Sequence, residues 1–497
     1  MKTLPSILLI IVLLHGGVAA AVAAPAGAAS ASAGEIDYPA LDAAIAAQMS
    51  KHGLPGVALA VVEGDEVAYL KSYGTAGRGR PMTTQTPMFI GSQSKSFTAL
   101  AVVQLAEQGK IDLNAPLQTY IPWFRVDDPS ASALITINHL LHHTSGLSEA
   151  GYAVLLPDDA TCEQAVRSLA QARLTAPVGT QFQYFNRGYS ALACLIEMVS
   201  GERYADYLRA HVFVPLGMAH TTADPATVTD VAQGYSRLFG FPVPVRQGVR
   251  EYEIAAGYIV STAEDLARYA IAMKDGAAGL LSPEFGQKLF AAGQGGYGMG
   301  WFIADGGAKI YHGGANEAFR TDVNLYPRSD RAFVLLANEG HQVDHFISAS
   351  QLANSVEAVV LGNAPPPVSQ GWSVRWVGWA VAAIVLLLVI LAIRNFAALP
   401  GWRERARQMT PARRAWDVAI SFIIPTAILV VVFTQLKAFY GYRFNLLTNL
   451  VNFRLVMPDV FVLTLVGTLP DYIQGIIKLA WVLTGQASRP ASLEDPA

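Results

Sequence analysis

The stretch Gly91-Ser92-Gln93-Ser94-Lys95-Ser96-Phe97-Thr98 decides how the chain reads. Pro87 and Gly91 end an extended approach to it. From Phe97 an apolar run continues through Glu107 and stops at Gly109, the pattern of a helix. Ser92 stands at the helix start, and Lys95 lies one turn further on the same face. A serine hydroxyl needs a base to become a nucleophile, and a lysine kept neutral by burial can be that base. The helix N-terminus adds N–H donors where an oxyanion would develop. Ser-x-x-Lys is common on solvated helices, so its meaning depends on its partners.

The chain has 497 residues, 52% hydrophobic and only 15% charged, which calls for membrane segments. Net charge is −3 and indicates no nucleic-acid partner. Two cysteines, Cys162 and Cys194, rule out a disulfide framework and do not match a four-ligand zinc site. They are consistent with one disulfide or with two separate thiols.

Residues 1–24 read as a secretory signal: Lys2, the apolar run Leu4 to Leu14, then small residues up to Ala24. Residues 25–35 form a small-residue linker. Within 36–362, strand patterns cluster at the two ends, at Val57–Val62, Val67–Tyr73, Met299–Ala304, Lys309–His312, Thr321–Tyr326 and Ala332–Asn338. The middle, from about Asp112 to Lys288, is mainly helical with long loops. The expected fold is α+β: one antiparallel sheet joined from both ends, flanked by helices, with a helical lobe and a cleft at the junction. A Pro-rich spacer covers 363–372.

Three apolar stretches follow, at 373–393, 418–436 and 456–483, each long enough to span a bilayer, and a tail occupies 484–497. Between the first two, Arg394, Arg403, Arg405, Arg407, Arg413 and Arg414 face a single Glu404. That loop should be cytoplasmic, with the tail on the same side, which places residues 36–362 outside, as the signal peptide also does. Asp471 falls ~17 Å into the third span, where a carboxylate is a functional candidate. The simpler expectation is a helix that breaks at Pro470 and lets Asp471 meet water or a neighbour. A transport or lipid-related role for this region would rest on Asp471 alone.

Other motifs gather around Ser92 and Lys95. Tyr184-Phe185-Asn186 lies just before a helix pattern that runs to Ser200. A tyrosine oxygen can relay protons, and an asparagine amide can hold a substrate carbonyl or the lysine. His312-Gly313-Gly314-Ala315 ends a strand, where glycines allow close backbone approach and an N–H can join that of Ser92 in an oxyanion hole. His139, His142 and His143 have no carboxylate at metalloprotease spacing and read as structural.

Together these stretches, with His143-Thr144-Ser145-Gly146-Leu147, Pro215-Leu216-Gly217-Met218, Ala255-Ala256-Gly257 and Tyr297-Gly298-Met299-Gly300-Trp301, resemble the serine β-lactamase and penicillin-binding-protein superfamily. The class C-like branch, with its DD-peptidases and esterases, is most similar. The resemblance implies Ser92 as the acylated nucleophile, Lys95 as proton acceptor and Tyr184 as proton relay. It implies Asn186 as a substrate or lysine contact, and His312-Gly313-Gly314 in place of the family's Lys-Thr-Gly. Ala315 would give the second oxyanion N–H. No metal or organic cofactor is implied. His312 in place of lysine, charged only in part near neutral pH, weakens the attraction for a substrate carboxylate.

The expectation is a serine hydrolase anchored in the bacterial cytoplasmic membrane, acting on peptide or small-molecule substrates, peptidoglycan-type or ester. A β-lactamase is one alternative. A slowly acylated or non-hydrolytic cell-wall sensor or scaffold is another.

Overall fold

The computed structural model describes residues 34–152, 154–341, 348–368, 373–440 and 457–487. The expected signal peptide, most of the linker and the end of the C-terminal tail lie outside the described residues. Seven strands form one antiparallel sheet. They are β1 (Gly56–Glu63), β2 (Glu66–Gly77), β3 (Arg80–Pro81), β4 (Phe302–Ala304), β5 (Lys309–Ala315), β6 (Arg320–Tyr326) and β7 (Arg331–Ala337). Their spatial order is β3-β2-β1-β7-β6-β5-β4, so the two ends of the segment meet at β1 and β7, with Val57 opposite Ala337 and Val61 opposite Phe333.

Strand β1 has no polar face because both of its faces are covered. Val57, Leu59 and Val61 join Phe333 and Leu335 under helices α1 (Tyr38–His52) and α5 (Ser350–Val360), through Leu41, Ile45, Leu352 and Val356. Ala58, Ala60 and Val62 point the other way, with Val334 and Leu336, into the main core. Smaller side chains on that face let α4 (Ala263–Lys274) lie close, with Leu266 and Ala270 in the same core.

Helix α2 (Ser94–Glu107) runs through the middle of the main core, buried from Ser94 to Leu105. A helix enclosed all round must satisfy its polar side chains internally. Ser94 Oγ donates to the Gly91 carbonyl (2.7 Å), Ser96 Oγ to the Gln93 carbonyl (2.9 Å), and Thr98 Oγ1 to the Ala255 carbonyl (2.8 Å). Helix α3 (Asn186–Ser200) packs alongside and ends at Gly201, whose φ of 77° supplies the left-handed cap.

In the middle segment a helix at Cys162–Ser168 tightens into a 3₁₀ turn over Leu169–Gln171. A hairpin of strands Gly234–Leu238 and Phe241–Val245 stands where helices and loops were expected. Cys162 and Cys194 are free thiols, and Cys162 Sγ donates to Glu197 Oε2 (3.1 Å).

Beyond the sheet domain, α6 (Val374–Ala397), α8 (Pro411–Tyr440) and α9 (Pro458–Leu483) contain stretches long and apolar enough to cross a membrane. The arginine-rich connection contains a helix, α7 (Leu399–Gln408), rather than being wholly loop. Helix α9 continues through Pro470 instead of breaking. It packs against α6 and α8, and Asp471 is half-buried within it. The starts of α6 and α9 both touch the sheet domain. Ser373 Oγ, which caps α6, donates to the Lys51 carbonyl (2.8 Å), and His341 Nε2 lies 3.3 Å from Asp459 Oδ1, both side chains buried.

Candidate active site

The site is assembled where the start of α2 meets the end of β5. Ser92 sits in a 3₁₀ turn, Gly91–Gln93, that leads into α2, so it precedes the α-helix proper. Gly91 has φ 54°, and a Cβ built there would fall 2.3 Å from the Ala315 amide nitrogen. A Cβ on Gly314 would fall 1.9 Å from the Ile90 carbonyl oxygen. The glycines of this motif thus serve first to seat the nucleophile turn against β5. That contact holds the turn carrying Ser92 against the end of β5 that carries Ala315.

Lys95 is fully buried. Its Nζ lies 3.1 Å from Ser92 Oγ, 2.7 Å from Asn186 Oδ1 and 2.6 Å from the Ala256 carbonyl oxygen. The last two atoms only accept. A neutral amine has two hydrogens and one lone pair, so two hydrogens serve Asn186 and Ala256, and the lone pair is left for the Ser92 hydroxyl. Burial lowers the Lys95 pKa to about 7, against the opposing pull of Glu253 and Glu149. An amine that titrates near neutral pH can act as a general base there.

The Tyr184 hydroxyl is buried, and burial raises its pKa against the opposing effect of Ser92, so the phenol keeps its proton. Lys95 Nζ lies 4.7 Å from the centre of the Tyr184 ring. Asn186 is the first residue of α3, and its backbone N–H donates to Glu149 Oε1 (3.1 Å). Glu149 has its pKa raised to about 7, by burial and then by Glu253.

His312 is buried on β5, and burial with the Lys95 charge lowers its pKa to about 3. It is therefore neutral at physiological pH, where partial charge was expected. Its Nδ1–H donates to the Gly313 carbonyl (2.7 Å), which leaves Nε2 to accept from Tyr297 Oη (3.2 Å).

The three clustered histidines each hold backbone. His139 Nδ1 accepts from the Thr136 N–H (3.2 Å) in a capping box, and His142 Nδ1 lies 3.0 Å from the Tyr297 carbonyl oxygen. His143, at φ 56°, grips the tyrosine loop on both sides of Tyr184. Its carbonyl accepts from the Gln183 N–H (2.7 Å) and its Nδ1 from the Phe185 N–H (3.2 Å). Its ring lies tilted against that of Tyr184, with centroids 4.4 Å apart.

Sequence reasoning missed two contributors. The Ala256 carbonyl is presented by a wide turn at Ile254–Tyr258, with i to i+5 geometry, of a kind common at functional sites. Its only sequence signal was the Ala255-Ala256-Gly257 motif, which carried no role. Glu149 had no signal beyond following the His143 motif.

A family model described as Beta-lactamase matches residues 41–357. The chain belongs to the β-lactamase family. It is 24% identical over 406 residues to Protein flp of Staphylococcus aureus (strain MW2), across 76% of this chain and 78% of that protein. Among solved structures, an octameric penicillin-binding protein homologue from Pyrococcus abyssi superposes with TM-score 0.58 and 27% identity, over 66% of this chain and 78% of that one. A penicillin binding protein from Bacillus halodurans superposes with TM-score 0.53 and 26% identity, over 62% of this chain and 99% of that one. This member of the β-lactamase family has the family's antiparallel sheet and helical lobe, followed by three apolar helices.

Proposed function

We propose that this chain is a membrane-anchored serine hydrolase that works through an acyl-enzyme on esters or amides outside the cytoplasmic membrane. The observation that carries the reading is the three-partner cradle of Lys95, which leaves a neutral amine one free lone pair, next to Ser92. In acylation the Ser92 proton passes to Lys95 Nζ as Oγ attacks the substrate carbonyl carbon. The oxyanion is held by the Ser92 and Ala315 N–H groups. Tyr184 hands a proton to the leaving group, and the same relay activates the water or other acceptor that releases the acyl group. Lys95 and Tyr184 act as a coupled pair.

Neutral His312 supports substrates without an essential carboxylate, since β5 offers no cation where the family pattern has lysine. That favours esters and amides over efficient hydrolysis of β-lactams. The arginine-rich α7, set beyond the far end of α6 from the sheet domain, supports a cytoplasmic side there and an outer side for the active site.

The test is intact mass of the full chain after separate exposure to a fluorophosphonate and to penicillin, with Ser92→Ala as control. A Ser92-dependent fluorophosphonate adduct with little penicillin adduct is expected. Rapid adducts with both would move the reading to a penicillin-binding peptidase. No adduct with either would remove the catalytic reading. Single-turnover behaviour on every ester tried would mark a sensor.

A further inference from the structure

The hairpin Gly234–Val245 has no part in the chemistry described above, yet it connects the membrane helices to the active-site wall. From Leu238 to Val245 the chain carries no charge, and Arg237 and Arg246 flank this stretch. Phe241, Pro242 and Pro244 are exposed, Phe241 at 54%. The Phe241–Val245 strand is an edge, and its prolines remove two of its N–H donors, which discourages pairing with another strand.

The tip of the hairpin is at Gly240. A Cβ on Gly240 would fall 2.9 Å from Arg375 Cα, and one on Gly378 would fall 2.1 Å from the Gly240 nitrogen. The tip therefore touches the first turn of α6. The first two turns carry Trp376 and Trp379, ring centroids 4.9 Å apart, with Trp376 62% exposed. Exposed tryptophans at the start of an apolar span mark the headgroup level of a bilayer. Phe241 is at that level.

The other end of the hairpin meets the site. Gly234 packs against Ala318 and Phe319, just past Ala315 on the chain. Beyond Val245, Gln247 and Arg250 both bind Glu317, and Arg250 Nη1 donates to Tyr258 Oη (2.7 Å). Two residues before Tyr258 is the Ala256 carbonyl that holds Lys95.

From this continuity we infer that the hairpin rests in the lipid interface and that the enzyme takes its substrates from the bilayer: amphiphiles with a lipid-embedded tail and a reactive ester or amide near the headgroups. The inference rests on the membrane-anchored hydrolase reading above and names its substrate class. The apolar edge holds the tail while the carbonyl reaches Ser92.

The experiment uses the full chain in phosphatidylcholine vesicles and compares a long-chain ester held in the bilayer with a short soluble ester. Phe241→Asp is set against Val214→Asp, which alters another exposed apolar residue, on the helical lobe. Loss of one interfacial phenylalanine should lower the bilayer-to-soluble turnover ratio by about tenfold to a hundredfold in Phe241→Asp, and leave it unchanged in Val214→Asp. An unchanged ratio in both variants, or an equal fall in both, would overturn the inference. Absence of Ser92-dependent turnover of the soluble ester would instead count against the hydrolase reading itself. As a separate measure, emission from Phe241→Trp should be quenched, beyond the wild-type loss, by lipids brominated high on the acyl chain. No added quenching would also overturn the inference.

Discussion

Replacing His143 by glycine and by asparagine separates what its ring does for Tyr184 from what its backbone does. The carbonyl of residue 143 accepts from the Gln183 N–H in every variant, so one tether of the tyrosine loop survives. The second tether, Phe185 N–H to Nδ1, is made by the ring alone. Phe185 is 1% exposed, so its N–H has no water to fall back on, and an orphaned buried donor costs about 1–3 kcal/mol. Position 143 has φ 56°, which glycine adopts freely and asparagine tolerates better than most residues. Backbone strain therefore does not handicap either variant. Asparagine Oδ1 can take the place of Nδ1 as acceptor; glycine offers none. His143→Gly should lose about fivefold to 150-fold in kcat on a short p-nitrophenyl ester, with KM little changed. His143→Asn should recover most of it. Melting temperatures of both identify any general unfolding. If both variants stay folded and fall equally, or if His143→Gly keeps wild-type kcat, the clamp has no role in positioning Tyr184.

Because Lys95 must be neutral to accept the Ser92 proton, activity should rise with pH through about 7 and level off above it; the limb belongs to the Lys95–Glu149 pair. A profile that falls across that range refutes the assignment of Lys95 as base. Asn186→Asp places a carboxylate 2.7 Å from Nζ, so the limb should move to higher pH, while Asn186→Ala should lower kcat by roughly tenfold or more without that movement. Gly314→Ala forces a Cβ onto the Ile90 carbonyl and should cost roughly 1–3 kcal/mol of stability in a denaturant melt, with loss of turnover as the Ser92 turn shifts.

The sheet was readable because β1 and β7 are unbroken apolar runs of strand length, bounded by turn residues, at opposite ends of one segment. Residues Ser92, Lys95, Tyr184 and Asn186 were readable because their side-chain chemistry is uncommon in combination. The Ala256 carbonyl was not, since every residue has a carbonyl and only the turn at Ile254–Tyr258 aims this one. The state of His312 also escaped, because burial and then the nearness of Lys95 set it, and neither is visible in Tyr311-His312-Gly313. The Gly234–Val245 hairpin was hidden by Pro242 and Pro244, which argue against a strand unless its edge is known to be open. At Pro470, the local signal for a break gave way to packing among the three apolar helices.

The burial of α2 has a consequence for how the protein fails. Sites carried on surface loops can loosen while the rest of a protein stays intact. Here the Ser92 turn leads directly into a helix enclosed in the core, and Lys95 is a part of that helix. No partial opening frees Lys95 without opening the core. Amide exchange along α2 should therefore report global unfolding, and thermal inactivation should track the melting curve of the sheet domain rather than precede it.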